Sequence, residues 1–214
     1  MKCKIVHARS RNEKNEIAKQ FVACLDAVCG TALRQFGWGR ERLQQMYDIT
    51  QRNLSDVMIT STAADTTKEI DVDYDDAEGL IDTAETALWV MKRELQVCGY
   101  DFFKEDSALM WQDPYRSKWM PPRMKDIHAA RLQWCTNTEF MTKVFIINVL
   151  VYARSKGFGA ERLSKLHGMI RAGYNRFVER WLLCVTDSDV IALKEVTAQL
   201  NELNRLGLEL IDLE

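Results

Sequence analysis

The sequence predicts an all-α protein, and composition and periodicity are the two observations behind that prediction. Of the 214 residues, 47% are hydrophobic, which suffices for a buried core. The chain contains three prolines and ten glycines, fewer than the many turns of an all-β fold would require. Apolar residues recur at spacings of three and four over long stretches, which is the pattern of amphipathic helices.

This periodicity predicts helices over 15–35, 40–58, 76–97, 124–153 and 160–185, and a last helix from Asp187 or Ser188 to 205. Between the second and third helices, residues 60–69 lose the periodicity and are rich in Thr, Ser, Ala and Asp, so we predict an exposed loop there. The sequence CTNTE at 135–139 is a candidate break in the fourth helix. Residues 98–124 hold all three prolines and many aromatic residues, so we predict an irregular aromatic-rich arm.

Two stretches 120 residues apart share one pattern, QFGWGRERL at 35–43 and KGFGAERL at 156–163. Each lies between an apolar helix and an amphipathic one, so the repeated unit is a helix, a tight corner and a second helix. We therefore predict a helical bundle built from two duplicated helix–corner–helix units, with the third long helix and the arm between them. The aligned corner residues are Gly37, Trp38, Gly39 and Arg42 in the first copy and Gly157, Phe158, Gly159 and Arg162 in the second.

Helix capping explains most of this corner without a ligand. Gly37 is expected to take the left-handed conformation after the first helix, so that Trp38 packs back onto Leu33. With Gly39 as the N-cap of the next helix, Trp38 also pairs with Leu43 as a hydrophobic staple. Capping does not explain Arg42 or its counterpart in the second copy, and we predict that each reaches a carboxylate, an aromatic face or a partner.

The Gly-aromatic-Gly-x-x-Arg-Leu corner after an apolar helix resembles one found in small helical proteins of Firmicutes phages and prophages. The resemblance covers about 30 residues in each copy and includes neither the arm nor the C-terminal tail. It implies a phage accessory protein, a class that includes counter-defence proteins of the anti-CRISPR type. It implies no particular target and no catalytic residue.

Charge and cysteine content restrict the remaining classes. The formal net charge is -2, so any binding to nucleic acid would have to come from a local patch. The longest apolar run, at 144–153, is about half the length of a membrane span, and the polar N-terminus does not read as a signal peptide. None of the six cysteines sits in a CxxC pair or near a suitably spaced His. We expect a cytoplasmic protein of a bacterial host, with no metal site, no cofactor and no membrane contact.

No catalytic signature is evident either. His7, His128 and His167 occur in unlike settings without a serine or carboxylate pattern beside them, so we predict a surface or rim position for each. The glycines of the corner lack the strand and the third glycine of a dinucleotide-binding motif. We predict that the chain is not an enzyme and has no catalytic residue.

Two segments are candidate surfaces for a partner. The acidic run at 69–79 is either a solvated loop leading into a helix N-cap or a negatively charged surface for a basic partner. The aromatic arm either folds back over the bundle or presents anchors to a partner. The candidate residues are Asp71, Asp73, Asp75, Asp76 and Glu78 in the run, and Trp111, Tyr115, Arg116, Lys118 and Trp119 in the arm.

The sequence favours a non-catalytic protein that binds, and inhibits, a host protein or a protein–RNA or protein–DNA complex. A sequence-specific DNA-binding regulator is the alternative, with the helix after Gly39 entering the major groove. Its contact residues would be Arg40, Gln44, Gln45, Arg52 and Asn53. We divide the chain into 1–59, the first helical hairpin; 60–124, the acidic loop, long helix and connector; and 125–214, the second hairpin with a last helix and tail. We expect the three segments to form one compact domain. The oligomeric state is left open.

Overall fold

The computed structural model describes residues 11–67, 90–113, 122–183, 188–208 and 210, and within them the side chains of all but 11–16, 54–67, 123 and 188–190. Every regular element in these residues is a helix, which confirms the all-α class. The helices are α1 (Arg11–Gln35), α2 (Arg40–Thr67), α3 (90–96), α4 (Phe102–Ala108), α5 (Pro122–Ser155), α6 (Ala160–Leu182) and α7 (Ser188–Asn204).

Helix α2 is longer than predicted, because it continues to Thr67. The prediction of an exposed loop over 60–69 is therefore wrong as far as Thr67. No glycine or proline interrupts the sequence from Arg40 to Thr67, and an established helix gains one hydrogen bond for each residue it adds. Loss of apolar periodicity therefore does not by itself mark the end of a helix here. Of the helix predicted over 76–97, only 90–97 lies within the described residues.

Helix α5 is continuous from Pro122 to Ser155, so the predicted break at 135–139 is wrong. Its first residue is a proline, which suits the first helical position because no N–H is needed there. The hydroxyl groups of Thr136 and Thr138 donate to the carbonyls of Leu132 and Trp134, each at 3.0 Å. These bonds occupy the polar side chains within the helix instead of diverting the backbone out of it.

The first predicted corner forms as a left-handed helix cap. Gly37 has a φ of 79°, and its N–H donates to the carbonyl of Arg34 at 2.9 Å. The N–H of Trp38 donates to the carbonyl of Leu33 at 3.3 Å, which completes a Schellman motif. Trp38, Leu33 and Leu43 are all buried, as the staple between α1 and α2 requires.

The second corner has the same cap. Gly157 has a φ of 90°, and its N–H donates to the carbonyl of Arg154 at 2.9 Å. The N–H of Phe158 donates to the carbonyl of Ala153 at 3.2 Å, and Phe158 and Leu163 are buried. The two corners therefore share one geometry. Duplication of the whole helix–corner–helix units stays a prediction.

The two unexplained arginines have different surroundings. The guanidinium of Arg162 lies over the ring of Phe158, 4.5 Å from its centroid, so Arg162 reaches an aromatic face of its own corner. Arg42 is exposed.

A third corner lies inside the predicted irregular arm, so the arm is not irregular throughout. Gly99 has a φ of 79° and donates to the carbonyl of Gln96 at 2.9 Å, while Tyr100 donates to the carbonyl of Leu95 at 3.2 Å. Asp101 then serves as the N-cap of α4, because its Oδ1 accepts the backbone N–H three residues later at 3.3 Å. Asp101 stands where the other two corners have their second glycine. The sequence pattern of two glycines around an aromatic residue therefore does not identify this corner.

The chain forms two compact units, each assembled from separated segments of the sequence. The first compact unit consists of Met1–Leu43, Leu109–Glu139 and Gly168–Glu214, and the second of Gln44–Ala108 and Phe140–His167.

Aromatic rings dominate the interior of the first compact unit. The ring of Phe21 lies 4.0 Å from that of Trp134 and 5.1 Å from those of Phe177 and Trp181, centroid to centroid. Helix α1 also packs against α7. A Cβ atom added at Gly173 of α6 would lie 2.7 Å from a methyl carbon of Val28. Helices α1 and α6 therefore approach closely at a position where only glycine fits.

The interior of the second compact unit combines apolar residues with amide groups. Residues 144–150 of α5 are buried without exception. Among them, Asn148 donates to the carbonyl of Val144 at 2.8 Å and accepts a hydrogen bond from Asn53 of α2 at 2.5 Å. The hydroxyl of Tyr152 donates to Gln45 at 2.8 Å. Helices α2 and α5 are thus joined by side-chain hydrogen bonds as well as by apolar contact.

Asp26 is a fully buried carboxyl group in α1. Burial raises the pKa of Asp26 to about 8, because a low-dielectric interior disfavours the charged form. The folded chain therefore binds a proton at Asp26 that the unfolded chain releases near pH 4, so stability decreases as pH rises from about 4 to about 8.

We expect Asp26→Asn to raise the free energy of unfolding by about 2 kcal/mol at pH 7.5, because the amide needs no proton to enter the core. The difference should vanish near pH 4. Denaturant unfolding of both chains at pH 4, 6 and 8 measures this, and equal pH slopes for the two proteins would contradict the assignment.

Candidate protein-binding surface

Three polar side chains form a hydrogen-bonded chain inside the second compact unit. The hydroxyl of Tyr100 lies 2.5 Å from Nδ1 of His167, and Nε2 of His167 lies 3.0 Å from Oδ1 of Asp106. All three are buried, and the ring of Phe102 stacks on the imidazole with 5.0 Å between centroids. The carboxylate accepts from Nε2–H, which leaves Nδ1 to accept from the phenol.

The ring nitrogens of His167 both have hydrogen-bond partners within this group of three side chains. Burial raises the pKa of Tyr100, and the nearby carboxylates of Glu105 and Asp106 raise it further, so the phenol keeps its proton. The resemblance to a catalytic triad is therefore one of connectivity, with a buried phenol in place of an accessible nucleophile. We assign these three hydrogen-bonded side chains to the core of the second compact unit.

The prediction that the histidines are surface or rim residues is wrong for the two that the structure describes. His167 and His128 are both buried, and His7 lies outside the described residues. A sequence signal for His167 existed, since position 167 continues the apolar spacing of Leu163, Leu166 and Ile170 in α6. It also aligns with Tyr47 of the first copy, which is buried too.

The predicted arm divides into a folded part and a surface part. Tyr100 and Phe102, at its start, are buried, as expected if the rings cover the core. Residues 109–113, which we call the arm base, follow α4 without regular secondary structure. Within the arm base Met110 is 47% exposed, Trp111 is half-buried and Gln112 is exposed.

Both ends of the arm base are held by side chains of the first compact unit. Asn175 of α6 donates from Nδ2 to the carbonyl of Leu109 at 2.7 Å. At the other end, Oδ2 of Asp113 lies 3.1 Å from Nε2 of His128 in α5. The arm base is therefore a segment held at each end by a hydrogen bond, with the side chains of Met110 and Trp111 between the two anchors.

The second anchor belongs to a larger cap. Nδ1 of His128 lies 2.9 Å from the carbonyl oxygen of Leu182, and Arg131 donates to the carbonyl of Trp181. The guanidinium of Arg131 also lies over the Trp181 ring, 4.9 Å from its centroid. Two side chains one turn apart on α5 thus bind the C-terminal carbonyls of α6, where the helix dipole favours positive charge.

Most of the predicted partner residues cannot be placed against this surface. Trp111 lies in the arm base. The candidates outside the described residues are Asp71, Asp73, Asp75, Asp76, Glu78, Tyr115, Arg116, Lys118 and Trp119.

The residues of the DNA-binding alternative are partly engaged within the chain. Gln44 donates to Asp48 at 2.9 Å, and Gln45 and Asn53 bond to α5 as described above. Arg40 and Arg52 are exposed.

Other kinds of site are sparse in the part of the chain that the structure describes. A cavity of about 20 Å³ between α1, α6 and α7 has room for about one water molecule. Within those same residues, no three His, Cys, Asp or Glu side chains come together as the ligands of a metal would. Of the described helices, none has an apolar stretch long enough to cross a bilayer.

Comparison with protein-family models, with curated proteins and with solved structures found no match.

We expect Tyr100→Phe to lower the free energy of unfolding by about 1–3 kcal/mol, because it leaves Nδ1 of the buried His167 without its donor. The matched control is Tyr152→Phe, whose lost partner, Gln45, is exposed and can bind water instead; we expect a loss below about 1 kcal/mol. Denaturant unfolding of both variants at pH 7 measures the difference. Equal losses in the free energy of unfolding would argue against a buried hydrogen bond between Tyr100 and His167.

Proposed function

We propose that this chain is a non-catalytic phage or prophage accessory protein that binds a host protein or nucleoprotein through the arm base and thereby inhibits it. The observation that carries the proposal is the arm base itself, a segment held at Leu109 and Asp113 that presents Met110 and Trp111 between its anchors. A defence nuclease, including one of the CRISPR type, is the target class that the resemblance of the corners suggests.

The composition of the arm base supports a binding role. Methionine and tryptophan are enriched at protein interfaces relative to the rest of the protein surface, and tryptophan is also enriched among the residues that contribute most to affinity. Ile127, next to the anchoring His128 on α5, is also 47% exposed.

The two anchors of the arm base also support a binding role. A loop ordered only on binding loses conformational entropy at that moment, which weakens affinity. The arm base is already tied to α6 by Asn175 and to α5 by His128, so little of that entropy remains to be lost. The proposal therefore expects similar arm-base conformations in the free and bound protein.

A DNA-binding regulator is the second candidate, and the exposure of Arg40 and Arg52 on α2 favours it. Exposed arginines can contact phosphates or guanine edges. A regulator of this kind would shift a DNA duplex in a salt-dependent manner and lose that activity when both arginines are replaced by alanine.

Affinity capture from a bacterial lysate, with and without nuclease treatment, separates the two candidates. We expect a host protein or complex that survives the treatment and whose purified form binds this chain. Met110→Asp should weaken that binding at least about tenfold, because a buried unpaired charge is strongly unfavourable at an interface. The matched control is Ile191→Asp on α7, an apolar residue that is 50% exposed, and it should leave the affinity unchanged.

Recovery of DNA alone would refute the proposal and favour the regulator. Equal affinities of the two aspartate variants and the unaltered chain would show that the arm base is not the binding surface. Melting curves of both variants are needed beside the affinities, since each substitution must leave the fold intact.

A further inference from the structure

Two helix–helix contacts are related by the offset of 120 residues that also relates the two glycine corners. In the first compact unit, a Cβ atom added at Gly173 of α6 would lie 2.7 Å from a methyl carbon of Val28 in α1. In the second compact unit, Asn53 of α2 donates to Asn148 of α5 at 2.5 Å. Val28 and Asn148 are 120 residues apart, and so are Asn53 and Gly173. The contact of α1 with α6 is therefore the counterpart of the contact of α5 with α2.

Helices α1 and α5 also occupy corresponding positions within their units. Residues 23–30 of α1 are buried without exception, and so are residues 144–150 of α5. The two stretches overlap when one is shifted by 120 residues. A helix that is buried all round lies in the interior of its unit, so the helix before each corner is the central helix of one compact unit.

The likeness extends to a third helix in each copy, at an offset of 108 residues. The sequence RELQVCGY at 93–100 aligns with NELNRLGL at 201–208, and the two share a glutamate, a leucine and a glycine at the same positions. The offset is smaller than at the corners because the second copy has 12 fewer residues between its two glycine caps. By this alignment, the end of α7 is the counterpart of the end of α3.

The cap at the end of α7 agrees with this alignment. Gly207 has a φ of 73°, and its N–H donates to the carbonyl of Asn204 at 2.7 Å. Its counterpart Gly99 has a φ of 79° and donates to the carbonyl three residues before it at 2.9 Å. The next residue is buried in both cases, Leu208 after one glycine and Tyr100 after the other. Helices α3 and α7 therefore end in the same way.

Each compact unit combines the first helix of one copy with the second and third helices of the other. The first compact unit holds α1, from the first copy, with most of α6 and all of α7 from the second, and α7 packs against α1. The second compact unit holds the C-terminal half of α5, from the second copy, with nearly all of α2 and with α3 from the first.

We propose that the chain is a complete tandem duplication of a three-helix segment whose two copies have exchanged their first helices. This is the architecture that a homodimer with exchanged first helices would have after its two subunits became one chain, since exchange of an identical element is a low-cost route to a dimer. The arm base lies after the third helix of the first copy and before the first helix of the second, so it belongs to the connection between the copies. The inference does not rest on the proposed function.

Interchanging the two contact pairs tests whether the contacts are equivalent. Val28→Asn with Gly173→Asn gives the first compact unit the amide pair of the second. Val28→Asn alone places an amide opposite a glycine that has no side chain to bond it, and Gly173→Asn alone brings a Cβ atom against Val28. Together, the two amides can bond each other as those of Asn53 and Asn148 do.

We expect the double variant to unfold at a higher urea concentration than either single variant, by about 0.5 M, the effect of one buried hydrogen bond. Urea unfolding of the full chain measures the three midpoints. If the helices met differently in the two units, a second asparagine would only add to the crowding. A double-variant midpoint that does not exceed both single-variant midpoints would therefore overturn the proposal.

The reciprocal interchange in the second compact unit decides the matter if the first set of variants does not fold. Asn53→Gly alone leaves the amide oxygen of the buried Asn148 without its donor. Asn53→Gly with Asn148→Val instead forms the contact of glycine with valine that α6 and α1 make. We expect this double variant to unfold at a higher urea concentration than Asn53→Gly, and an equal or lower midpoint would overturn the proposal.

Val28→Asn with Asn53→Gly is the matched control, because the two residues belong to different contacts. Its loss in midpoint should equal the sum of the two single losses. A control that is more stable than both of its single variants would show that the gain does not come from pairing, and would overturn the proposal. None of these changes alters the arm base, so their outcome is distinct from that of the capture experiment on the proposed function.

Discussion

Glycine in the left-handed conformation, followed at once by a buried ring, is the constraint on which the arrangement of helices depends. Gly37, Gly99 and Gly157 have φ values of 79°, 79° and 90°, and an aromatic residue follows each of them. The glycine ends one helix without the steric cost that a Cβ would carry. The ring after it is buried, which fixes where the next helix begins.

The interior adds polar groups that make the packing specific. In the first compact unit, the fully buried Arg171 bonds to Glu139 at 2.9 Å, and Asp26 enters the core as a protonated acid. In the second, His167 lies between a phenol and a carboxylate. Removing one partner from such a group costs more than the bond contributes net, because the other partner stays buried. The arm base of the first compact unit differs from these buried groups, because its Met110 is an apolar side chain that is 47% exposed.

The all-α class, most helix positions and two of the corners were predictable, because periodicity and glycine placement are local signals. The extent of α2 to Thr67 was not, since residues 60–67 are helical although their sequence lacks apolar periodicity. The third corner was missed because Asp101 replaces the glycine of the pattern and caps the helix in another way. The anchors of the arm base could not be predicted, because His128 contacts Asp113 and Leu182 only when α5 packs against the end of α6. Trp111 was identified by residue type, but its neighbours in the fold could not be.

The role of the corner glycines is tested most directly by one substitution at a corner and one inside a helix. A Cβ added at Gly157 or at Gly168 meets no atom within 4 Å, so space does not distinguish them; only Gly157 has a positive φ. We predict that Gly157→Ala lowers the free energy of unfolding by about 1–2 kcal/mol, while Gly168→Ala, within α6, raises it by about 0.5–1 kcal/mol. Opposite signs in denaturant unfolding would support the account, and a neutral or stabilising Gly157→Ala would contradict it.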